Sequence, residues 1–362
     1  MSYADNLTFP AVTICNYNQF RKSAVENRFI ESLRILYSPT PPDQGDYVEN
    51  IINETGYDVV DTVLTGAHQI KDMLVNCSWR ISKPCGVDNF TQVITDWGVC
   101  YTFNDPGNLS DALVVNHVGN QNGLRLRLNI EQHEYVYRDD IAAGIKIHIH
   151  PQGVRPLVKQ YGFSVSPGFE TSVGVKLNEH TNVKGCKSPK DGTMYSKFYT
   201  VPICYYECKM KYVVNRCKCR DYRYPGNDTL CSSREIRTCL YPAEETFEEQ
   251  HLRHDCDCPS PCKARFYDEK ISMAYIPGGH ILDEFMTQLN SSKENFRENY
   301  LEVNIFFDTL HYEKVKEALA YSFESLLGDI GGSMGLLAGT SLVTVAEFID
   351  FFIATCHKKH CP

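Results

Sequence analysis

Ten cysteines lie at positions 186, 204, 208, 217, 219, 231, 239, 256, 258 and 262. No other feature of the sequence restricts its folding as strongly. Ten thiols allow about 945 pairings by the counting rule, so spacing alone chooses none of them. Near-symmetry gives a physical hint. Cys204 and Cys208 stand one turn apart on a helix face and can oppose Cys256-x-Cys258 on a returning segment. The nested set that follows pairs Cys219 with Cys231, Cys217 with Cys239, Cys208 with Cys256, Cys204 with Cys258 and Cys186 with Cys262. Such a stack predicts two antiparallel helices stapled into a stiff rod, each closed loop contributing about 2 to 4 kcal/mol. The same CxC and CxxxC spacings, with His254 nearby, also resemble zinc-ligand spacing, so a metal site is the competing reading.

Sixteen cysteines in all imply oxidising surroundings. Asn-x-Ser/Thr acceptor triplets at Asn6, Asn53, Asn76, Asn89, Asn108, Asn227 and Asn290 agree, and the two signals together predict a glycosylated extracellular region. The opening MSYADNLTFP has neither a basic nor an apolar leader region, so export is expected to use an upstream membrane segment or another route. The net charge of -9 comes without a basic block apart from the terminal HKKH, which argues against nucleic acid and suits cations. No Ser/His/Asp, Walker or metal-hydrolase pattern is present in the sequence, so an enzyme is not expected.

LTFPAVTICN reads as a strand closed by Cys15. YNQFRKSAVENRFIESLRILYS has the apolar spacing of an amphipathic helix, ended by Pro39, Pro41 and Pro42. VVDTVLTGAHQIKDMLVNC is a second helical patch. From Trp97 the pattern turns to period two. WGVCYTFN, GLRLRLNI, HEYVYRDD, GIKIHIH and GFSVSPGFETSVGV predict an antiparallel sheet with one wet face. ARFYDEKISMAYIP, the helical HILDEFMTQL and the strand YLEVNIFFDTLHYE complete the region before the C-terminal segment.

Between Met334 and Ala354, about 21 residues carry only Glu347 and Asp350 as charges, close to the roughly 20 needed to span hydrocarbon. The basic HKKH flank suits a cytoplasmic end. Glu347 and Asp350, at i and i+3, share a face, and symmetric copies would turn that face into acidic rings that concentrate cations. Gly331, Gly332, Gly335 and Gly339 permit either close helix packing without a pore or a departure from the helix that aims carbonyls at an ion. Gly339-Thr340-Ser341 is the expected break.

FPAVTICN, WGVCYTFN, SPGF, the cysteine ladder, YLEVNIFFDTLHYE, LLGDIGGSMGLLAGTS and EFIDFF together resemble the epithelial sodium channel/degenerin superfamily, most of all its acid-sensing branch. The resemblance implies an α+β fold, a disulfide-rich clenched-hand ectodomain of palm, β-ball, finger, knuckle and thumb, followed by one C-terminal transmembrane helix. It implies the nested ladder, plus Cys15 with Cys100 and Cys77 with Cys85. The implied order is a palm strand over 1–19, a finger over 20–96, and palm and β-ball strands with the knuckle/finger return over 97–185. A laddered thumb over 186–268, a knuckle helix and lower palm over 269–327, a pore helix over 328–355 and a cytoplasmic tail over 356–362 follow. Gly339, Thr340 and Ser341 would be the selectivity filter, Asp329, Gly331 and Gly332 the gate, and Glu347 and Asp350 the acidic pore lining.

The implied function is a subunit of a trimeric, sodium-selective, ligand-gated cation channel of the plasma membrane, with protons or an unknown ligand outside. Its partners would be related subunits and membrane lipid, and it needs no cofactor beyond permeant Na+. The family's first membrane helix and cytoplasmic His-Gly motif have no counterpart in this sequence. The alternative is therefore a truncated, non-conducting, membrane-anchored ectodomain that modulates related subunits. Acid gating is expected to be weak. An acidic pair is replaced by Gly153 and Val154, two thumb aspartates by Tyr241 and Glu245, and the Pro-Pro-Trp coupling loop by the shorter NEHTNVKGC. Asp308 and Glu313 remain as palm proton sensors, and His148 and His150 are expected to titrate near neutrality.

Overall fold

The computed structural model describes residues 2–25, 59–81, 83–136, 141–250, 252–278, 292–317, 323–339 and 341–360. The chain divides into two units, Met1–Lys316 and Glu317–Pro362. In chain order the strands of the first unit are β1 (Ser2–Tyr3), β2 (Leu7–Thr8), β3 (Ala11–Asn16), β4 (Leu74–Trp79), β5 (Lys83–Pro84), β6 (Phe90–Ile94), β7 (Val99–Phe103), β8 (Val114–Val115), β9 (Leu124–Asn129), β10 (Ile145–His150), β11 (Phe163–Val165), β12 (Phe169–Thr181), β13 (Lys263–Tyr275), β14 (Tyr300–Phe307) and β15 (His311–Lys316). Its longer helices are α1 (Val59–Gly66), α2 (Val201–Cys217), α3 (Tyr241–Glu249) and α4 (Lys293–Asn299).

One sheet of eight strands runs β1-β15-β12-β14-β9-β4-β5, with β13 on the other edge of β12. β13 pairs antiparallel along the whole of β12, from Phe169 opposite Tyr275 to Thr181 opposite Lys263. On the opposite edge β12 is parallel first to β14 and then to β15. The sheet is therefore mixed where the alternation predicts a purely antiparallel one, because period two reports which face is wet and not the direction of the neighbour. A second sheet runs β11-β10-β3-β7-β6.

The two sheets share one core. Leu124, Leu126 and Leu128 of β9, Val173, Val175 and Leu177 of β12 and Leu301, Val303, Ile305 and Phe307 of β14 pack in the same cluster as Val12 and Ile14 of β3 and Ile145, Ile147 and Ile149 of β10. Each such side chain contributes about 1.5 to 3 kcal/mol on burial. β3 is buried at all six positions. Its other face carries Cys15, which is bonded to Cys100 and packs with Val158.

Two other expectations change. The helical patch from Val59 ends at Met73, and Leu74–Trp79 becomes β4, paired with β9. The described part of HEYVYRDD, residues 133–136, is not a strand: Glu131 adopts φ 56°, Gln132–Glu134 form a 3-10 turn, and Tyr135 makes one isolated bridge to Arg21, while 137–140 lie outside the described residues. Most of the predicted 20–36 helix and all of HILDEFMTQL lie outside the described residues.

α2 buries Ile203, Tyr206, Met210 and Val213 on one stripe, starts at the Thr200 cap with Pro202 beside it, and ends at Lys218 with φ 61°. The nested bonds join 219–231, 217–239, 208–256, 204–258 and 186–262. All ten sulfurs are consumed in these bonds, so the zinc reading falls. The rod of two stapled helices is also revised. Only Cys217–Cys239 joins helical turns, since Cys239 lies in the π-helical Ile236–Leu240 stretch, whereas Cys256 and Cys258 lie in a non-helical return. The rungs still match, because four helical residues rise about 6 Å and two extended residues about 6.6 Å. Cys77–Cys85 is the remaining bond. Cys356 is free and exposed, and Cys361 lies outside the described residues.

The second unit holds α5 (Phe323–Ala338) and α6 (Leu342–His360). The apolar span read over 334–354 is thus in two pieces, with the interruption between Ala338 and Leu342. Among the described residues no helix is by itself long and apolar enough to cross a membrane.

Candidate functional site

The break between α5 and α6 falls at the glycine before Ser341. Gly339 adopts φ 60°, a left-handed conformation open to glycine at little cost, and its N–H closes the last turn of α5 on the Gly335 carbonyl at 3.1 Å. Ser341 caps α6: its Oγ accepts from Thr344 N–H at 3.3 Å and its carbonyl from Val345 N–H at 3.1 Å. Thr340 lies outside the described residues. Asp329, Gly331 and Gly332 are exposed and fall within about one turn of α5. A Cβ added at Gly328, Gly331, Gly332 or Gly339 would meet nothing within 4 Å, so no described atom of this chain uses their smallness. Glu347 and Asp350 are exposed one turn apart on α6. Met334, Thr344, Val345, Phe348, Ile349, Phe352 and Ile353 line a groove of about 420 Å³ between the two helices.

In the first unit Asp308 follows β14 and Glu313 lies on β15; both are exposed. Asp308 N–H donates to the Val175 carbonyl at 3.2 Å, and Glu313 pairs with Lys176 of β12 at 3.1 Å. Both acids thus sit along one edge of β12. Glu269, exposed on β13 at the opposite edge, has its carboxyl pushed up by partial desolvation and, secondarily, by Asp268.

Where the resemblance puts an acidic pair, the 151–158 connector runs from β10 to the Val158–Tyr161 turn and packs against the disulfide-laddered segment on the way. Gly153 takes φ 70°, and a Cβ there would lie 2.7 Å from the Phe198 ring. Its N–H donates to Asp105 Oδ1 at 2.7 Å. Val154 and Tyr241 both pack against the core of the laddered segment, with Leu157 buried inside it. That contact is apolar, and Glu245 points to solvent. Beside it Asp221 is fully buried and holds Arg223 through Nε–H at 3.0 Å and an Nη–H at 2.6 Å. Tyr224 donates to Glu244. Burial raises the Asp96 carboxyl, although the Lys159 and Val158 amides offset part of the rise.

Residues 1–351 match the family described as Amiloride-sensitive sodium channel. The chain belongs to the amiloride-sensitive sodium channel family. It is 33% identical to Acid-sensing ion channel 1C of Danio rerio over 383 residues, covering 98% of this chain and 72% of that protein. It is 31% identical to Acid-sensing ion channel 2 of Rattus norvegicus, covering 98% and 74%, and 32% identical to Acid-sensing ion channel 4-B of Danio rerio, covering 98% and 64%. Membership in the amiloride-sensitive sodium channel family makes this a channel-type protein and not an enzyme, and its seven disulfides suit that family.

The two histidines of this channel-family chain depart from expectation. His150 is buried and His148 half-buried, because alternation along β10 turns both away from the shared core, toward the Thr13 and Cys15 face of β3 and the Val158–Tyr161 turn. Burial pushes His148 well below its ordinary value, with His150 adding to the effect. Burial likewise lowers His150 to about 4. His150 Nδ1–H donates to the Pro151 carbonyl at 3.0 Å, so the neutral ring accepts at Nε2 from Thr13 Oγ1 at 2.8 Å, and Thr102 donates to Thr13 at 2.9 Å. Protonation would reverse this chain of hydroxyls. The depressed folded value gives stability that is complete above the unfolded value of about 6.5 and falls away as pH drops toward 4. His150 alone is expected to remove about 3 kcal/mol across that window. Denaturant titrations of wild type and His150→Gln at several pH values should show the variant losing most of this slope.

Among the sequons, Asn6, Asn76, Asn89, Asn108 and Asn227 are exposed, while Asn53 and Asn290 lie outside the described residues. Arg155, Asp96 and the Asp221–Arg223 pair carry no sequence signal that marks them. Each is a single charged residue in an ordinary loop, and only the tertiary structure buries it.

Proposed function

We propose that this chain is a pore-forming subunit of a trimeric, sodium-selective, ligand-gated cation channel of the plasma membrane. The observation that carries the reading is the interruption at Gly339 to Ser341, with Glu347 and Asp350 following on one face of α6. A backbone that leaves the helix can turn carbonyls to an ion, and a capping hydroxyl adds an oxygen ligand. In this reading α5 and α6 cross the bilayer as two joined pieces, with Gly339, Thr340 and Ser341 as filter. Asp329, Gly331 and Gly332 form the gate, where the open space around the glycines receives the same residues of neighbouring subunits. The first unit is the glycosylated extracellular part: the laddered segment is the thumb, the β3-containing sheet the β-ball and the eight-stranded sheet the palm.

Acid gating is weak in this proposal. Gly153, Val154 and Tyr241 form an apolar joint, and crowded carboxylates are what raise pKa values into the physiological range. A different ligand or a partner subunit sets the gate. A second reading, an anchored ectodomain that modulates related subunits without conducting, draws on the lack of any described helix able to cross a membrane by itself.

Voltage clamp of cells expressing the chain, alone and with an acid-sensing relative, separates the readings. The channel reading expects an amiloride-blocked inward Na+ current from the chain itself, and the second expects only an altered current of the relative. A sustained current at about pH 5, abolished by Asp308→Asn with Glu313→Gln, would contradict weak acid gating.

A further inference from the structure

The 151–158 connector, between β10 and the Val158–Tyr161 turn, packs between the five-stranded sheet and the laddered segment, and one of its side chains touches both. Arg155 donates through Nη2 to the Ile94 carbonyl at the end of β6, at 2.6 Å, and to the Arg223 carbonyl in the loop after α2, at 3.3 Å. Its own N–H donates to Ser196 Oγ at 3.2 Å, and that hydroxyl donates to the Gly153 carbonyl at 3.2 Å. Four residues on, Lys159 N–H is held by the Asp96 carboxylate at 3.1 and 3.2 Å. Leu157 is buried in the core of the laddered segment, while the adjacent Val158 packs with Cys15 and Cys100. The connector therefore sends two adjacent apolar anchors into two different cores, with Arg155 just before them spanning the seam.

We propose that Arg155 is a clasp that fixes the laddered segment to the five-stranded sheet, so that their relative position is set by a guanidinium bridging two backbone carbonyls and not by titration of carboxylates. Nη2 of a guanidinium carries two N–H donors, one for each carbonyl, and the group stays charged at physiological pH, while carbonyl acceptors do not titrate. The titratable groups that face it are Asp96, Tyr195 and Tyr206, with Asp105 at Gly153 and the Asp221–Arg223 pair behind the loop. Asp96 is engaged with the Lys159 amide and Asp221 with Arg223, so neither carboxylate is the clasp's hydrogen-bond partner. A ligand or partner that moves the laddered segment must break the Arg155 bridge. The clasp rests on the extracellular fold and not on the channel reading, so it stands or falls separately from any current.

Hydrogen exchange of the full chain, read by peptide, tests it. Arg155→Met is expected to speed exchange about tenfold in peptides covering 151–160 and 193–199, leaving β10 and α2 within about twofold of wild type. Arg155→Lys keeps the charge, but its ammonium sits on a shorter stem than Nη2 and is expected to reach at most one of the two carbonyls, so it is expected to match Arg155→Met. Wild type is expected to hold the same protection at these peptides from about pH 7 to about pH 5.5, once intrinsic exchange is corrected. Unchanged protection in Arg155→Met, an equal rise across the whole chain, full rescue by Arg155→Lys, or a wild-type joint that opens on acidification would each overturn the proposal. If Arg155→Met does not fold, the lysine variant and the wild-type pH series still decide it.

Discussion

Joint replacement of Cys204, Cys208, Cys256 and Cys258 by Ser is expected to remove about 5 kcal/mol of unfolding free energy, whereas removal of either rung alone costs about 2 kcal/mol. The asymmetry follows from nesting. With Cys186–Cys262 and one of the two rungs in place, the other closes only a short loop, since 204–258 and 208–256 lie four and two residues apart along their two segments. Taking away both frees the whole length between the outer bond and the Cys217–Cys239 bond, and the entropy of that larger loop appears at once. Against a typical total of about 5 to 15 kcal/mol, the double loss is enough to prevent accumulation of folded protein. Denaturant midpoints of the two single-rung variants, with secretion yield of the double one, check the non-additivity. Equal and additive losses would mean that the bonds act through local geometry and not through chain entropy.

Asp221→Asn is expected to cost about 3 to 5 kcal/mol, although it changes one atom per side chain. Asp221 is fully buried and grips Arg223 with both carboxylate oxygens, and it also accepts from Arg223 N–H at 2.7 Å. An amide cannot offer two anionic acceptors, so the buried guanidinium loses its counter-charge while staying out of water. Replacing the pair together, Asp221→Leu with Arg223→Met, removes both desolvation penalties and is expected to cost much less than Asp221→Asn alone. A double variant as damaging as the single one would show that the pair contributes through shape and not charge. Chemical denaturation at neutral pH reads both.

The parts of this fold that were legible in the sequence are those whose partners are set by local periodicity. A helical i, i+4 cysteine pair and an extended i, i+2 pair have nearly the same rise, so Cys204 and Cys208 announce Cys258 and Cys256 across about fifty residues. Gly339 followed by Ser341 reads as a helix stop and a helix cap, and the structure interrupts the helix there. What stayed hidden is decided by distant neighbours. Leu74–Trp79 continues a helical apolar pattern but pairs with β9, where ladder hydrogen bonds and the Cys77–Cys85 bond outweigh propensity. The parallel placement of β14 and β15 beside β12 depends on how the chain returns, which alternation does not encode. His148 and His150 look like a polar strand face until β3 and the Val158–Tyr161 turn cover them. Arg155 in HPQGVRP is one basic residue between turn formers, and its importance lies in two carbonyls more than sixty residues away on either side of the sequence.

The measurement that bears most directly on the channel reading is the reversal potential when external Na+ is exchanged for K+, recorded for wild type and for Ser341→Asn. Asn keeps a side-chain oxygen able to cap α6, so the helix start survives while the geometry at the interruption changes. A filter at Gly339 to Ser341 predicts a Na+-preferring wild-type current and a variant whose preference over K+ is largely lost. A variant that conducts with unchanged preference would contradict the placement of the filter at Gly339 to Ser341.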